Sequence, residues 1–340
     1  MKLLVITQKV DSKDSTLGFF HGWIQELSKE FESVEVICLQ KGDFDLPKNV
    51  TVYSLGKERG VSTLSYIINF WKYLRLISGS YDRVFVHMNE EYVLLAGLYW
   101  KLKGIPVYFW RNHLNGTVLT RLAILFTTKT FSTSKQSFAT RFSKTSIMPA
   151  GIDDQVFKPL SGVVRKKYSI IMAGRISPIK HVEVALEAIQ ILISRGVQVS
   201  LTVLGPVPTK DKKYFESLEK YVQDNTLSGV IHFEPAVSPE KLPEIYSSHE
   251  ISLNLTPSGS FDKTIIEAIL CGAVPVVSNS SLSGMLPAIC ITGENKEEVA
   301  SSLERLLNPH EQIKIFDELK AFAQSQTLLA LIKKLTIEMK

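Results

Sequence analysis

The sequence has few cysteines and no long apolar run near its start. Its cysteines, Cys38, Cys271 and Cys290, are widely spaced and odd in number. This excludes a disulfide framework or a cysteine-rich zinc cluster, and we expect all three to be small buried apolar residues. The opening MKLLVIT has five apolar residues before Gln8 and Lys9. That is too short for a signal-peptide core or a membrane span, so we expect a cytoplasmic protein.

Low-complexity tracts, short internal repeats and an acidic tail are also missing. Their absence argues against a disordered, solenoid or fibrous protein. A hydrophobic fraction of 45% and a charged fraction of 21% are typical of globular domains. At 340 residues the chain is long enough for two domains, each with its own core.

Positive charge is concentrated in the first half of the chain. Residues 1–150 carry 19 Lys and Arg against 12 Asp and Glu, whereas the remaining residues carry 20 against 22. The excess fits an anionic partner, such as a phosphate-rich membrane, a lipid-linked phosphate or an acidic polymer, and it equally fits a role in solubility alone. A nucleic acid is not favoured, because neither aromatic interleaving nor a reading helix accompanies the charge.

Short apolar runs alternate with stretches of helical period along both halves. Such alternation predicts two doubly wound parallel sheets of the α/β class, covered by helices on both faces. One helix is expected from Gly18 to about Phe31 and another from Val182 to Arg195. The expected strands are 3–7, 34–39, 50–55, 83–88, 105–110 and 129–132 in the first half, and 169–173, 200–204, 230–233, 251–255 and 274–277 in the second.

Loop-forming residues around Pro149–Asp153 mark a junction between domains. We expect a Rossmann-like domain on the acceptor side over 1–155 and a second, nucleotide-sugar-binding one over 156–323. The stretch from Glu311 to Met339 has helical period almost throughout. Its last part, 324–340, is expected to form a helix that packs back on the first domain.

Two segments of the second half carry residues suited to a phosphorylated ligand. In two doubly wound domains that face each other, strand carboxyl ends and helix N-termini line one cleft. After the expected strand 169–173, Gly174 lets the backbone approach a ligand, and Arg175 and Lys180 can reach a diphosphate. An ordinary strand-to-helix loop with solvated cations is the alternative.

The second segment is a Ser-Gly-Ser turn that leads into a helix. Free amides and the dipole of such a helix would point at a bound phosphate. Glu267 lies inside this helix among apolar residues, where a carboxylate needs a partner such as a ribose hydroxyl. The residues expected to contact a donor in this segment are Gly259, Ser260, Phe261, Asp262, Lys263, Thr264 and Glu267.

The stretch GRISPIKHVE, followed by SGSFDKTIIEAILCGAVPVVSN, resembles the retaining glycosyltransferases of family 4, which have the GT-B fold. The resemblance extends to KLLVIT, LGFFHGWIQELSKEF, MPAGIDDQVF and LTVLGP. It implies a metal-independent hexosyltransferase of glycan biosynthesis. The donor would be a UDP- or GDP-linked sugar and the acceptor a hydroxyl of a glycan, a lipid-linked molecule or a small molecule. No separate cofactor is implied, because the nucleotide-sugar is a substrate.

The resemblance also implies roles for single residues. Arg175 and Lys180 match the family's diphosphate-binding pair, Glu267 matches the glutamate that holds the ribose, and Gly205 matches a glycine after the second strand of that domain. In the first half, His113 looks like the histidine near donor sugar and acceptor. Gly18 occupies the place of the glycine loop near the acceptor. The implied catalytic residues are His113, Arg175 and Lys180, although a lone histidine after a strand is also typical of a hydrogen-bonded structural residue.

One position departs from the family. The family usually has two glutamates separated by seven residues, and the position eight before Glu267 is Gly259. The carboxylate that contacts the donor sugar in relatives is therefore missing, and Asp262 or Ser260, with the loop amides, are the candidates to replace it. The departure favours an alternative function, a non-catalytic nucleotide-sugar-binding protein. A nicotinamide-dependent oxidoreductase is disfavoured, because residues 7–11 lack the G-x-G-x-x-G loop.

An apolar stripe in the first half fits two interpretations. It is typical of a helix that covers a Rossmann sheet, which we favour, and of a helix that lies on an anionic membrane, here the inner face of the cell membrane. The stripe consists of Leu64, Ile67, Ile68, Trp71 and Leu74, flanked by Lys72 and Arg75.

Overall fold

The computed structural model describes residues 1–14, 16–259 and 261–340. These residues form two compact units, Met1–Gly151 with Leu328–Lys340, and Ile152–Thr327. The expected junctions, after 155 and after 323, lie a few residues inside the second unit. Each unit is built on one parallel sheet, so the predicted α/β class is confirmed.

The first unit has a seven-stranded sheet in the order β3-β2-β1-β4-β5-β6-β7. Its strands are β1 (Lys2–Val10), β2 (Ser33–Lys41), β3 (Val50–Ser54), β4 (Arg83–His87), β5 (Val107–Trp110), β6 (Lys129–Ser132) and β7 (Thr145–Ile147). The second unit has a five-stranded sheet in the order β10-β9-β8-β11-β12. Its strands are β8 (Ser169–Ala173), β9 (Ser200–Leu204), β10 (Ile231–Glu234), β11 (Ile251–Asn254) and β12 (Val274–Val277).

Helices connect most of these strands. In the first unit they are α1 (Phe19–Glu30), α2 (Thr63–Leu76), α3 (Glu90–Leu102) and α4 (Val118–Leu125). The second unit has α5 (Val182–Ser194), α6 (Lys212–Asp224), α7 (Leu242–Ser248), α8 (Lys263–Leu270), α9 (Lys296–Leu306) and α10 (Pro309–Ser325). The last helix, α11 (Leu328–Met339), lies in the first unit. In the described part of the chain no helix combines the length and apolar character needed to cross a membrane.

Two apolar layers enclose the first sheet. Helices α1 and α11 contribute to one core cluster, and α2, α3 and α4 contribute to another. The central strand β1 is buried throughout Leu3–Ile6, as expected for a parallel strand covered on both faces. The three cysteines are buried and form no disulfide, which confirms their predicted role.

The predicted helical stretch from Glu311 to Met339 is interrupted. Helix α10 ends at Ser325 with Gln326 as its C-cap, and Thr327 forms a parallel bridge with Ile152. The predicted helical character of Glu311–Met339 is confirmed, with a break at Gln326 and Thr327 that separates α10 from α11. β7 was not anticipated, since its three residues carry no apolar run.

Helix α11 completes the first core. Leu331 and Leu335 are fully buried in the same cluster as Phe20 and Trp23. The carbonyl oxygen of Met339 accepts from the Tyr108 hydroxyl at 3.2 Å. The end of the chain is therefore fixed to the first sheet by both packing and hydrogen bonding.

We expect Leu331→Ala to lower the stability of the first unit by about 2–5 kcal/mol, because it empties a fully buried site. Leu329→Ala, on the exposed side of the same helix, is the control, with an expected change within about 0.5 kcal/mol. All four tryptophans lie in the first unit, so urea unfolding followed by tryptophan fluorescence reports on this unit. Equal midpoints for the two variants would contradict the placement of α11.

Candidate functional site

Two glycine loops meet at the carboxyl edge of the second sheet. Gly174 follows β8 and Gly205 follows β9, with φ angles of +143° and +149° that disfavour any residue with a side chain. The Gly174 amide donates to the Leu204 carbonyl at 2.9 Å, and a Cβ on Gly205 would overlap the Gly174 carbonyl oxygen. The two loops therefore touch through bare backbone. The sequence predicted a close approach by a ligand and did not reveal this contact between loops.

Lys180 forms an enclosed ion pair with Asp262. The Lys180 ammonium contacts the Asp262 carboxylate and donates to Thr256 Oγ1 at 2.9 Å. The same carboxylate accepts from Asn254 Nδ2 at 3.0 Å, and from the Thr264 hydroxyl at 2.9 Å. This network joins the loop after β8 to the start of α8. Because an ammonium group has three donors and the described residues use two of them, one N–H of Lys180 is left for a ligand.

The charge of Asp262 is fixed by this network. Burial raises the pKa of its carboxyl, but the Lys180 charge and hydrogen bonds outweigh burial and hold the pKa below its ordinary value. Asp262 also caps α8, since Oδ1 accepts from the Thr264 amide at 3.2 Å. Its oxygens are thus surrounded by internal donors, from Lys180, Asn254, Thr256 and Thr264. Asp262 positions Lys180 and α8 and has little capacity left for a sugar.

Arg175 differs from Lys180 in having no internal carboxylate. Its side chain is exposed, and in the described part of the chain it takes part in no salt bridge. It directly follows Gly174, whose conformation places it at the carboxyl edge of the sheet. Its planar guanidinium is therefore available to an external anion.

Glu267 lies in the second turn of α8 in a desolvated position. Burial raises the pKa of its carboxyl to about 7, and the charge of Lys263, four residues earlier, counteracts part of the rise. Burial likewise lowers the pKa of Lys263 to about 7. Tyr246 of α7 is fully buried, and burial together with the Glu267 charge raises the pKa of its hydroxyl well above the ordinary value. Glu267 therefore changes its charge near neutral pH, a property that is frequent at functional sites.

The turn before α8 contains the position that departs from the family. Gly259 is buried and has a φ angle of +112°, so a glutamate there would be strained. Ser260, a predicted donor contact, lies outside the described residues. Phe261 is half-buried directly before the cap residue Asp262. The backbone at this position thus favours glycine.

The Lys180 side chain and the N-terminal end of α8 both lie at this edge of the sheet. α8 begins at Lys263 with Asp262 as its N-cap, so its first turn lies beside Lys180. Across residues 1–14, 16–259 and 261–340, no group of three or more His, Cys, Asp or Glu side chains is placed to hold a metal ion.

The two predicted residues of the first unit lie in loops. His113 follows β5 and is exposed, with Nδ1 held by the backbone of Asn115 at 3.1 Å from its amide nitrogen and 3.0 Å from its carbonyl oxygen. Nε2 takes no part in this contact. Gly18 precedes α1 with helical angles, and a Cβ there would press on the Asp14 carbonyl oxygen. The glycine is needed for space and not for an unusual φ.

A polar cluster at the ends of β4 and β5 was not predicted. Met88 follows β4 with φ +70°, a rare value for a residue with a side chain. Glu90, in the first turn of α3, pairs with Arg111 at 3.5 Å. Asn89 Oδ1, Glu90 Oε2 and Arg111 Nε are buried without a hydrogen-bond partner within the described structure. The sequence signal for this cluster was the presence of polar residues directly after two apolar strands. Buried polar atoms without a hydrogen-bond partner call for a functional explanation.

Comparison with known proteins finds similarity to glycosyltransferases. Residues 154–308 match the family described as Glycosyl transferases group 1. The chain is 30% identical over 176 residues to D-inositol 3-phosphate glycosyltransferase of Paenarthrobacter aurescens, covering 47% of this chain and 42% of that protein. It is 24% identical over 240 residues to MMP alpha-(1->4)-mannosyltransferase of Mycolicibacterium hassiacum, covering 66% and 55%. The chain thus spans about half the length of these curated relatives.

Solved structures share the fold over nearly the whole chain. HepE of Anabaena in complex with UDP superposes with a TM-score of 0.78 at 14% identity, covering 99% of both chains. WaaG, a glycosyltransferase involved in lipopolysaccharide biosynthesis, superposes with a TM-score of 0.69 at 15% identity, again covering 99% of both. The predicted GT-B fold is confirmed.

Proposed function

We propose that this protein is a retaining glycosyltransferase of family 4 that moves a hexose from a nucleoside-diphosphate sugar to a hydroxyl acceptor. The observation that carries the proposal is the Lys180–Asp262 pair at the start of α8, next to the exposed Arg175. The group 1 domain and relatives named as glycosyltransferases support it. The HepE structures with UDP and with UDP-glucose favour UDP-sugars as the first donors to test, before GDP-sugars.

Arg175 and Lys180 bind the diphosphate in this proposal. Asp262 compensates part of the Lys180 charge, so Arg175 supplies the larger uncompensated charge. The first amides of α8 add the positive end of the helix dipole. These fixed groups stabilise the charge that develops on the leaving nucleotide, and no metal ion is required for that step.

The transfer exchanges one bond at the anomeric carbon for another. The acceptor oxygen forms a bond to that carbon as the bond to the diphosphate oxygen breaks. The leaving phosphate takes the acceptor's proton, so attack comes from the face that the phosphate leaves and the configuration is retained. The acceptor is a hydroxyl of a glycan, a lipid-linked molecule or a small molecule.

The donor sugar is held differently from the family's usual pattern. Gly259 has no carboxylate, and the oxygens of Asp262 are occupied by internal donors. In this proposal, backbone amides of the turn before α8 bind the sugar hydroxyls and Glu267 binds the ribose. His113 acts on the donor sugar and acceptor.

Arg175→Ala is expected to lower the transfer rate at saturating donor by roughly 10²–10³-fold, because one fixed charge at a developing anion contributes that much. UDP release from UDP-sugars is measured with a panel of hydroxyl acceptors. Lys213→Ala, at an exposed cation of α6, is the control and should keep the parent rate. An unchanged rate in Arg175→Ala would refute the role of this side chain.

Glu267→Gln is expected to remove a pH dependence from nucleotide binding. Ribose hydroxyls donate to the ionised carboxylate, and its pKa is raised to about 7 in the protein. The affinity for UDP should therefore be full above pH 7 and fall as the pH is lowered through 7. The variant should bind about tenfold more weakly at high pH, since a hydrogen bond to a charged group is lost.

Isothermal titration of both proteins with UDP across this range is the measurement. The titration of UDP itself is common to both, so the difference between the profiles reports on Glu267 together with Lys263, whose pKa depends on the Glu267 charge. Parallel profiles would show that this carboxyl does not contact the ribose.

His113→Ala is expected to slow transfer by roughly 10²-fold while leaving the UDP dissociation constant unchanged. The reason is that the proposal assigns His113 to the donor sugar and acceptor, and assigns the nucleotide to Arg175, Lys180 and Glu267. His310→Ala, at an exposed histidine of α10, serves as the control. A parent-like rate would assign His113 the structural role that its contact with Asn115 also fits.

A non-catalytic nucleotide-sugar-binding protein is the second candidate. The observation that favours it is the combination of Gly259 with an occupied Asp262, which leaves the sugar without a carboxylate partner. Tight UDP binding with no UDP release from any donor and acceptor pair would support this function over transfer.

A further inference from the structure

The helices that cover one side of the first sheet carry many exposed apolar side chains. Helices α2, α3 and α4 pack on the same face of this sheet, since Phe70, Trp100 and Ile124 from the three helices share one core cluster. On their outer surfaces large apolar side chains are between 37% and 79% exposed. We call this surface the α2–α4 face; it comprises Leu64, Ile67, Ile68, Trp71, Leu76, Leu98, Leu102, Val118, Leu119, Leu122 and Leu125.

This exposure is not general in the protein. On helices α5 to α10 of the second unit, the exposed large apolar side chains among the described residues are Ile193 of α5, at 36%, and Ile313 and Phe316 of α10, at 72% and 58%. In α2 the predicted covering role is confirmed for Leu74, which is buried together with Phe70, a residue outside the predicted stripe. The rest of the predicted stripe, including Leu64 and Ile68, faces solvent. An apolar surface of this extent is typical of an interaction site.

The charges around the α2–α4 face are almost all positive. Lys72 and Arg75 of α2, Lys101 of α3 and Arg121 of α4 are exposed, and none of them takes part in a salt bridge among the described residues. Helices α2 and α4 contain no acidic residue. Residues 59–152 carry 12 Lys and Arg against 3 Asp and Glu. The positive charge of the first half is thus concentrated around this apolar surface.

We propose that the α2–α4 face docks on the surface of an anionic lipid bilayer. Aliphatic side chains flanked by unpaired cations are the combination that binds interfacial helices to anionic lipid. Trp71, which meets Tyr99 edge to face at 5.9 Å, is of the residue type that prefers the headgroup level. A second copy of the chain fits less well, because it would place the same cations against one another. The proposal goes beyond transferase activity and does not require it.

Vesicle flotation with the full chain tests the proposal. The protein is mixed with vesicles of phosphatidylcholine alone, or of phosphatidylcholine with about 30 mol% phosphatidylglycerol, at about 0.05 M and about 0.5 M salt. We expect flotation with the anionic vesicles at low salt, much weaker flotation at high salt, and none with phosphatidylcholine alone. Absence of flotation with anionic vesicles at low salt would overturn the proposal.

Variants assign the binding to this face. Lys72→Glu with Arg75→Glu should weaken binding at least about tenfold, since each cation near an anionic membrane contributes roughly a fivefold factor. Leu64→Ser with Ile68→Ser should also weaken it by removing apolar area. The matched control is Ile313→Ser with Phe316→Ser, equally exposed on α10 of the second unit, and it should bind like the parent.

Two further readouts separate the possible outcomes. Melting temperatures establish that each variant is folded, and UDP titration should be unchanged in every one, which distinguishes this surface from the nucleotide loops. Equal loss of vesicle binding in the control overturns the proposal. So does a dimer in the parent that dissociates in Leu64→Ser with Ile68→Ser, because it would assign the face to a second copy.

Discussion

The ion pair between Lys180 and Asp262 is the constraint on which the candidate site depends. It joins two loops that lie 82 residues apart in the chain and fixes the start of α8 against the carboxyl edge of the second sheet. Removing one partner of such an enclosed pair leaves an uncompensated charge at a cost of about 3–5 kcal/mol. The arrangement is therefore set by the folded protein before any ligand arrives.

Because of this pair, charged residues that look equivalent in the sequence have different roles in the structure. Asp262 is occupied by internal donors and acts as a support, Lys180 is shared between that support and a ligand, and Arg175 is directed outward. Glu267 is held in a different way, since burial and not a fixed cation dominates its pKa. One short region thus combines a carboxyl whose pKa is held below its ordinary value with one whose pKa is raised to about 7.

Much of the fold could be predicted, because parallel strands that are covered on both faces have continuous apolar runs in the sequence. The strands Lys129–Ser132, Ser169–Ala173 and Ser200–Leu204 were predicted with the bounds that the structure shows. β7 has no such run and was missed. The break between α10 and α11 depends on a bridge to Ile152, which no local pattern can show.

The candidate site was predictable only in its composition. Residue types at Arg175, Lys180 and Glu267 indicated a phosphate and a ribose, but the pairing of Lys180 with Asp262 is a tertiary contact without a signal in spacing. The same holds for the exposure of the α2–α4 face. A helix that covers a sheet and a helix that also presents an apolar outer surface have the same period, and only the structure separates them.

The return of α11 to the first unit bears on how the chain is synthesised. Residues 1–151 leave the ribosome well before Leu328–Lys340, and the whole second unit is translated in between. At roughly 5–20 residues per second this interval lasts on the order of 10–40 seconds. During that time the nascent first unit lacks the leucines that fill the space beside Trp23. The earlier-made half is therefore completed only after Leu328–Lys340 has been translated, whereas the later-made half is complete as soon as it emerges.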